Sequence, residues 1–309
     1  ERPVIKMPID LDIKLPRIEA IRCELLDRSN IILNVLRLDR IHPTIHGNKW
    51  YKLKRNLEQF RREGVGRVVS FGGAYSNHLY ALAAAGKHYS LETIGLVRGE
   101  ICQPLNPVLA FAQQQGMQLV PISRSEYRYK QEAGFIAELR SRFGDFQLLP
   151  EGGSNLLAVQ GCAEIAESIR WQSADRSRIV ALCCGTGATM AGIVSGLSAQ
   201  QQANPPQVLG IGVLKAEGYL QAEVQSWLDN NQCPPGVSWR VEGNYHCGGY
   251  ARSNSRLKGF LKDFTRFSQL PLEPVYTGKL LFGLFDMIER GSIPAGSEIL
   301  AIHTGGVYR

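Results

Sequence analysis

Short apolar segments that run directly into glycine-rich turns recur along this chain, and they limit its possible folds more than any other feature. The segment "RVVSF" (67–71) runs into "GGAYSN" (72–77), and "RIVALCC" (178–184) runs into "GTGAT" (185–189). A segment with helical spacing follows each turn. Strands that alternate with helices predict an α/β fold whose parallel sheet is covered on both faces. Such sheets bind ligands at the carboxyl ends of their strands, where these turns lie.

Apolar periodicity, glycine and proline place the other elements after an irregular start. The expected strands are 31–39, 67–71, 93–99, 118–122, 146–150, 178–184, 207–214 and a last one beginning at 298. The expected helices are 50–63, 78–86, one from Pro107, a polar one after 122, 156–171, one ending at Leu197, one after 214 and one from about Gly278.

Size and charge narrow the class of protein. A chain of 309 residues predicts two domains, at roughly 100–200 residues each. The net charge of +7 is spread along the chain, and its densest basic run, 123–130, is interrupted by Glu126. That run is therefore interpreted as a solvated helix face, and nucleic-acid binding is not expected.

The seven cysteines indicate neither a disulfide framework nor a metal site, because their number is odd and no C-x-x-C spacing occurs. Reduced cysteines are typical of the cytosol. The sequence also contains no apolar stretch of 18 residues and no signal-peptide pattern. We therefore expect a cytoplasmic protein without a metal and without a membrane span.

The loop "GTGAT" has the composition of a phosphate site. Its glycines allow a tight turn that exposes N–H groups at the start of a helix, and threonine hydroxyls add donors. A plain strand-to-helix turn would use the same residues. The loop is not a Walker loop, and Met190 stands where a dinucleotide motif has its last glycine or alanine. A dinucleotide is therefore disfavoured.

Three lysines in "GNKWYKLK" (47–54) differ in position. Asn48 is a suitable N-cap, which places Lys49 in the first turn of a helix. A cation is disfavoured there by the positive end of the helix, and the same field lowers the pKa of an amine. Lys49 is thus a candidate nucleophilic amine. Lys52 and Lys54 are explained more easily as exposed charge.

Polar residues stand at ends of expected strands and just before expected helices. Ser76 and Asn77 stand before a helix, where such residues commonly serve as caps. A serine on a rigid turn can also move a proton when an amine base is near. Tyr276 precedes another helix and Thr304 ends the last strand, so all four are expected at one edge of the protein.

Several motifs in order, from about Leu36 to Gly306, resemble one family of pyridoxal-phosphate enzymes, that of 1-aminocyclopropane-1-carboxylate (ACC) deaminase and D-cysteine desulfhydrase. Ser76 follows Lys49 by 27 positions (76 − 49), as in the family, whereas Tyr51 stands where the family usually has arginine. The motifs are "GNKWYKL" (47–53), "SN" (76–77), "NPVL" (106–109), "PEGGSN" (150–155), "CGTGAT" (184–189), "GGYA" (248–251), "YTGK" (276–279) and "HTGG" (303–306).

The resemblance implies a two-domain, tryptophan synthase β-like fold (pyridoxal-phosphate fold type II). A larger cofactor-binding domain would comprise 1–50 and 151–309, and a smaller α/β domain 51–150. It also implies pyridoxal 5'-phosphate as the cofactor, a small amino acid as the substrate, and a homodimer.

The resemblance assigns a role to each candidate residue. Lys49 would bind the cofactor covalently. The implied catalytic residues are Lys49, Ser76, Tyr250 and Tyr276. The implied cofactor contacts are Lys49, Asn77, Gly185, Thr186, Gly187, Ala188, Thr189 and Thr304. The implied substrate contacts are Lys52, Ser76, Asn77, His78 and Thr277.

Two positions separate the branches of the family. Deaminases have glutamate after the tyrosine of "YTGK" and tend to have leucine in the closing turn, whereas this chain has Thr277 and Thr304. Both favour a D-cysteine desulfhydrase, which forms pyruvate, ammonia and sulfide. The alternatives are an ACC deaminase, which forms 2-oxobutanoate and ammonia, and a non-catalytic phosphate- or nucleotide-binding module.

Overall fold

A computed structural model describes residues 11–306, and the chain forms two sheets. The larger sheet has six strands. In spatial order they are β1 (Arg17–Ile21), β2 (Ile32–Arg37), β10 (Glu298–His303), β7 (Arg178–Cys184), β8 (Gln207–Gly212) and β9 (Trp239–Glu242). Every neighbouring pair is parallel except β1–β2, which is antiparallel. The expected parallel arrangement therefore holds for all strands of this sheet except the edge strand β1.

The smaller sheet has four parallel strands. In spatial order they are β5 (Gln118–Ile122), β4 (Glu92–Arg98), β3 (Arg67–Gly72) and β6 (Gln147–Leu149). These strands are consecutive in sequence, whereas those of the larger sheet come from both sides of them. The division into domains at residues 50 and 150 stays a prediction.

Ten α-helices of the described residues join and cover the strands. They are α1 (Glu24–Arg28), α2 (Asn48–Glu63), α3 (Asn77–Tyr89), α4 (Pro107–Gln114), α5 (Ala133–Phe143), α6 (Leu156–Ala163), α7 (Ala188–Ala199), α8 (Tyr219–Asn230), α9 (Ser255–Ser268) and α10 (Thr277–Glu289). None of them is long and apolar enough to cross a membrane.

Strand residues alternate between two helical layers on each sheet. In β7, Val180 and Leu182 pack with α6, α7 and α8, whereas Ile179 and Ala181 pack with α9 and α10. In the smaller sheet, Val68 of β3 packs with α2, α3 and α4, and its neighbouring side chains pack with α5. Both faces of each sheet are thus buried, which explains the near-continuous apolar runs in the sequence.

Several expected elements differ from the structure. The expected helix at 156–171 ends as an α-helix at Ala163 and continues as a 3₁₀ turn. The run 123–130 is not a solvated helix face, because it forms turns and a 3₁₀ helix around the buried ring of Tyr127. The edge strands β1 and β9 were not expected. Both are partly exposed, so neither carries the continuous apolar run used to identify strands.

Candidate active site

A cavity of about 760 Å³ lies where strands of both sheets end. Gly72 ends β3, Cys184 ends β7 and Thr304 follows β10, and all three line it. Arg98 from β4 and Leu214 beyond β8 line it as well. The carboxyl ends of parallel strands thus meet at one space, as the turn positions predicted.

The start of α2 is built differently from the expected cap. The N-cap is Gly47, with φ +69°, and Asn48 is already helical, so the prediction of an Asn48 cap was wrong. The Asn48 side chain instead donates to Thr189 Oγ1 at 2.9 Å. A Cβ on Gly47 would lie 2.0 Å from the carbonyl oxygen of Thr304. Glycine is required here because the chain turns with positive φ directly against the last strand.

Lys49 faces the cavity from the first turn of α2, where the sequence placed it. Its Nζ donates to the Gly152 carbonyl oxygen at 3.3 Å. Burial, and secondly the nearby Lys52, lower the pKa of Lys49 to about 7. Both effects disfavour the charged ammonium. An appreciable fraction of this amine is therefore neutral, and hence nucleophilic, near neutral pH.

Lys52 is not exposed charge, because only 1% of the residue is accessible to solvent. One turn after Lys49, it lies on the same face of α2. Its Nζ donates to Ser154 Oγ at 2.9 Å, to the Gly152 carbonyl oxygen at 3.2 Å and to Thr186 Oγ1 at 3.2 Å. Three oxygens thus hold a buried cation against the cavity wall, and its pKa is lowered by burial.

Lys54 points elsewhere and pairs with Glu164, whose carboxylate also accepts from Arg55. Tyr51 is also turned away from the cavity. It is 8% exposed and packs in the core with α6 and α7, where burial raises its pKa to about 12. A Cβ on Gly161 would lie 2.0 Å from the Tyr51 carbonyl oxygen. Tyr51, which stands where the family motif usually has arginine, therefore changes the packing of α2 and not the cavity wall.

The glycine loop connects β7 to α7 and lines the cavity through Gly185, Thr186, Gly187 and Thr189. Thr186 is fixed on two sides: its Oγ1 lies 2.8 Å from Ser154 Oγ, and its carbonyl oxygen accepts from Trp227 Nε1 at 3.0 Å. Ala188 does not line the cavity, and its N–H donates to the Thr186 carbonyl oxygen at 2.9 Å. Its predicted cofactor contact stays a prediction.

The turn after β3 brings Ser76, Asn77 and His78 to the cavity. Ser76 is the N-cap of α3, and its Oγ accepts from the Leu79 N–H at 3.2 Å. Capping and a chemical role are therefore compatible, because the hydroxyl proton of Ser76 is not used by the cap.

His78 is neutral. Its Nε2 lies 2.8 Å from Ser70 Oγ, which itself donates to the Leu149 carbonyl oxygen at 2.7 Å. The Ser70 proton is thus committed, so Nε2 carries the imidazole proton. Burial, followed by the charges of Lys49 and Lys52, lowers the pKa of His78 well below its usual value. A neutral imidazole adds no further positive charge to this wall.

Tyr250 and Tyr276 also line the cavity. Tyr276 Oη donates to Tyr250 Oη at 3.1 Å, and the ring centroids lie 6.0 Å apart at 69°. Thr277, the next residue, does not line the cavity and is 1% exposed. Its predicted substrate contact stays a prediction. Its N–H donates to Glu273, whose carboxylate also accepts from the two preceding N–H groups.

Thr304 lies at the cavity beside Cys183, with 3.1 Å between Oγ1 and Sγ. Within residues 11–306, no carboxylate accepts a hydrogen bond from Thr304. Thr304 therefore presents a neutral partner to any ring nitrogen held at this wall.

Sequence reasoning missed several residues of the wall. Lys130 pairs with Glu151 at 3.5 Å, and its Nζ lies 4.9 Å from the ring centre of Tyr127. Both charged residues line the cavity, as does Arg98. Glu151 and Ser154 belong to the motif "PEGGSN" (150–155), so the sequence did contain a pattern that could have identified them. For Lys130 and Arg98 no motif existed, because the fold alone brings them to this edge.

The family described as "Pyridoxal-phosphate dependent enzyme" matches residues 25–305. The chain belongs to this family. A bifunctional D-cysteine desulfhydrase/1-aminocyclopropane-1-carboxylate deaminase of Arabidopsis thaliana is 28% identical over 85% of this chain and 69% of its own length. A 1-aminocyclopropane-1-carboxylate deaminase of Burkholderia vietnamiensis is 27% identical, over 84% and 82%.

A solved structure of an ACC deaminase homologue superposes with a TM-score of 0.83 and 23% identity, covering 100% of this chain and 96% of its own. This likeness confirms the expected tryptophan synthase β-like architecture, pyridoxal-phosphate fold type II. Membership of an enzyme family argues against the alternative of a non-catalytic phosphate-binding module.

Pyridoxal phosphate is the cofactor of this enzyme, and the cavity wall fits it. A phosphate group suits the loop 185–189 at the N-terminus of α7, where the buried Lys52 supplies a cation. A pyridine nitrogen suits the hydroxyl of Thr304, and an aldehyde suits the amine of Lys49. In the part of the chain that the structure describes, no group of three metal-ligand residues is found.

With Lys49 as the predicted attachment site, cofactor attachment should depend on pH, because the pKa of this amine is lowered. Only the neutral amine attacks an aldehyde, and this form increases as pH rises through about 7 instead of through 10.5. We expect the rate of attachment to cofactor-free enzyme to rise with pH and to reach half its maximum near pH 7. Stopped-flow visible absorbance after mixing with pyridoxal phosphate measures this rate. A half-maximum above pH 9 would contradict the described environment of Lys49.

Proposed function

We propose that the enzyme is a lyase that converts D-cysteine and water to pyruvate, ammonia and hydrogen sulfide. The observation that carries the proposal is the position of the Lys49 amine, which faces one cavity together with Lys52 and the phosphate loop. Bound pyridoxal phosphate supplies an acceptor for the electron pair left at Cα when a proton departs. The site residues must then bind the amino acid and move protons.

Lys49 and Ser76 are the proposed proton carriers. The Lys49 amine is partly neutral near pH 7, so it can accept the α-proton of an amino acid. Within residues 11–306, Ser76 Oγ accepts one hydrogen bond, from the Leu79 N–H, which leaves its own proton free for a carboxylate of the substrate. Asn77 and His78 follow on the same turn and are proposed to orient the cofactor and the substrate.

The tyrosine pair is proposed to assist departure of the thiol. Tyr276 donates to Tyr250, so the Tyr250 proton remains available. The pKa of Tyr250 is raised mainly by burial, and its hydroxyl therefore stays protonated at neutral pH. A protonated hydroxyl can donate to the sulfur atom while the bond between Cβ and sulfur breaks.

The second candidate is ACC deamination, which one relative combines with D-cysteine desulfhydration in its name. ACC has no α-hydrogen, so its ring opening needs an acid or a nucleophile near the ring carbons. At position 277, where deaminases have glutamate, this chain has a buried threonine outside the cavity wall. The missing carboxylate supports D-cysteine over ACC.

Product analysis separates the two candidates. Purified enzyme is incubated with D-cysteine and with ACC in parallel, and sulfide, pyruvate and 2-oxobutanoate are measured. We expect sulfide and pyruvate in equal amounts from D-cysteine and little 2-oxobutanoate from ACC. Release of 2-oxobutanoate without any sulfide from D-cysteine would replace the first proposal with the second. L-cysteine serves as the control for the configuration at Cα.

Two expectations of the sequence stay predictions: a homodimer and a cytoplasmic location. Size-exclusion chromatography with light scattering measures the first directly.

A further inference from the structure

The turn that carries Tyr250 has an unusual backbone. Four of the five residues from Cys247 to Ala251 have positive φ: +53° at Cys247, +100° at Gly248, +119° at Gly249 and +55° at Ala251. Two of them are not glycine. A positive φ is strained at these two residues and persists only where the surroundings hold it. This turn, residues 246–252, therefore needs an anchor.

Lys279 provides a contact to this turn from the protein interior. It lies in the first turn of α10, is fully buried, and donates from Nζ to the Gly249 carbonyl oxygen at 2.8 Å. It forms no ion pair within residues 11–306. Burial lowers its pKa, while Cys247 and Glu273 oppose that effect. A buried ammonium with one neutral acceptor, near a helix N-terminus, is locally unfavourable.

The contact links the two tyrosines of the cavity. Tyr250 directly follows Gly249, and Tyr276 stands three residues before Lys279, so each is one short stretch of backbone from this hydrogen bond. Their hydroxyl groups then meet at 3.1 Å. The other hydrogen bonds of the turn are mostly internal, such as those from the Gly249 N–H to the His246 carbonyl oxygen and from the Arg252 N–H to that of Gly249.

We propose that Lys279 is a positioning residue, whose ammonium group anchors the strained turn at Gly249 and so holds the Tyr250 hydroxyl against Tyr276 over the cavity. No group of Lys279 lines the cavity, so it acts through Tyr250. The catalytic part of this proposal rests on the proposed function, whereas the anchoring of the turn does not.

Hydrogen exchange tests the anchor without any substrate. Lys279→Met keeps the length and apolar stem of the side chain but removes the donor. In the enzyme with bound cofactor, we expect amides of 246–252 to exchange roughly tenfold faster, with β7 and α7 unchanged. Lys258→Met is the control, because Lys258 is an exposed lysine of α9. Should the methionine variant not fold, Lys279→Gln retains a shorter donor, and it should also exchange faster than wild type.

Kinetics test the action through Tyr250. We expect Lys279→Met to lower kcat for the active substrate about 10–100-fold, as for other small misplacements of catalytic groups, with a smaller change in KM. If Lys279 acts through Tyr250, the double variant with Tyr250→Phe should lie within about twofold of Tyr250→Phe alone. Independent, multiplicative losses would overturn the positioning role.

The two proposals fail in different ways. Unchanged exchange of 246–252 in the variants of Lys279 would overturn the anchor, whatever the substrate is. Faster exchange in an enzyme that releases neither sulfide nor 2-oxobutanoate would overturn the proposed function and leave the anchor established.

Discussion

Replacing Lys49 with alanine should abolish covalent attachment of the cofactor and lower activity by on the order of 10⁴-fold or more, as loss of a covalent catalytic group commonly does. The described cavity wall carries three lysines: Lys49, Lys52 and Lys130. Lys52 is already held by three oxygens. It is thus a poor substitute for Lys49. Visible absorbance of the purified variant with added pyridoxal phosphate measures attachment, and product release measures activity.

The control for this experiment is Lys54→Ala, which removes a lysine of the same helix that faces Glu164. It should retain the absorbance and activity of the wild type. Persistent absorbance of covalently bound cofactor in Lys49→Ala, stable to dialysis, would show that another amine forms the bond. The assignment of Lys49 as the amine that binds the cofactor would then be wrong, although the membership of the family would stand.

Replacing Lys52 with methionine should weaken cofactor binding by about 30-fold or more, equivalent to about 2 kcal/mol, because a buried charged donor to a phosphate is removed. The cofactor-free variant should be no less stable than wild type, since a buried cation with neutral partners has been replaced by an apolar side chain of similar size. Fluorescence titration gives the dissociation constant, and thermal unfolding without cofactor gives the stability.

This combination separates phosphate binding from a structural role. A lysine that merely supports the fold would lower the unfolding temperature of the cofactor-free variant as well. The paired control is Ser154→Ala, which removes one acceptor of Lys52 but keeps its charge and should cost far less affinity. Equal affinities of Lys52→Met and wild type would place the phosphate group elsewhere in the cavity.

The sequence predicted those features that depend on continuous apolar runs and on glycine. Strand β7 was placed at its observed bounds because both of its faces are buried. Ser76 and the loop at 185–187 were expected together because parallel strands end at one edge, and the resemblance added Lys49; all of them line the cavity. Strand β9 was missed, since its four residues are all partly exposed and half-exposed strands lack that signal.

Burial of polar groups could not be predicted from local spacing. Lys52 looked like surface charge because its partners, Ser154 and Thr186, lie more than 100 residues away. The same reason applies to Lys279, whose acceptor lies 30 residues earlier in an irregular turn. The resemblance implied a substrate contact for Thr277, but only its neighbour Tyr276 lines the cavity, because adjacent residues at a helix start point in different directions.

The buried cysteines have a consequence for an enzyme proposed to release a thiol. Cys183 and Cys184 reach the same cavity, and burial raises the pKa of each to about 12. Only a thiolate attacks a disulfide, and at pH 7 roughly one molecule in 10⁵ of such a thiol is ionised. Disulfide exchange between cystine and the cysteines of this wall should therefore be slow.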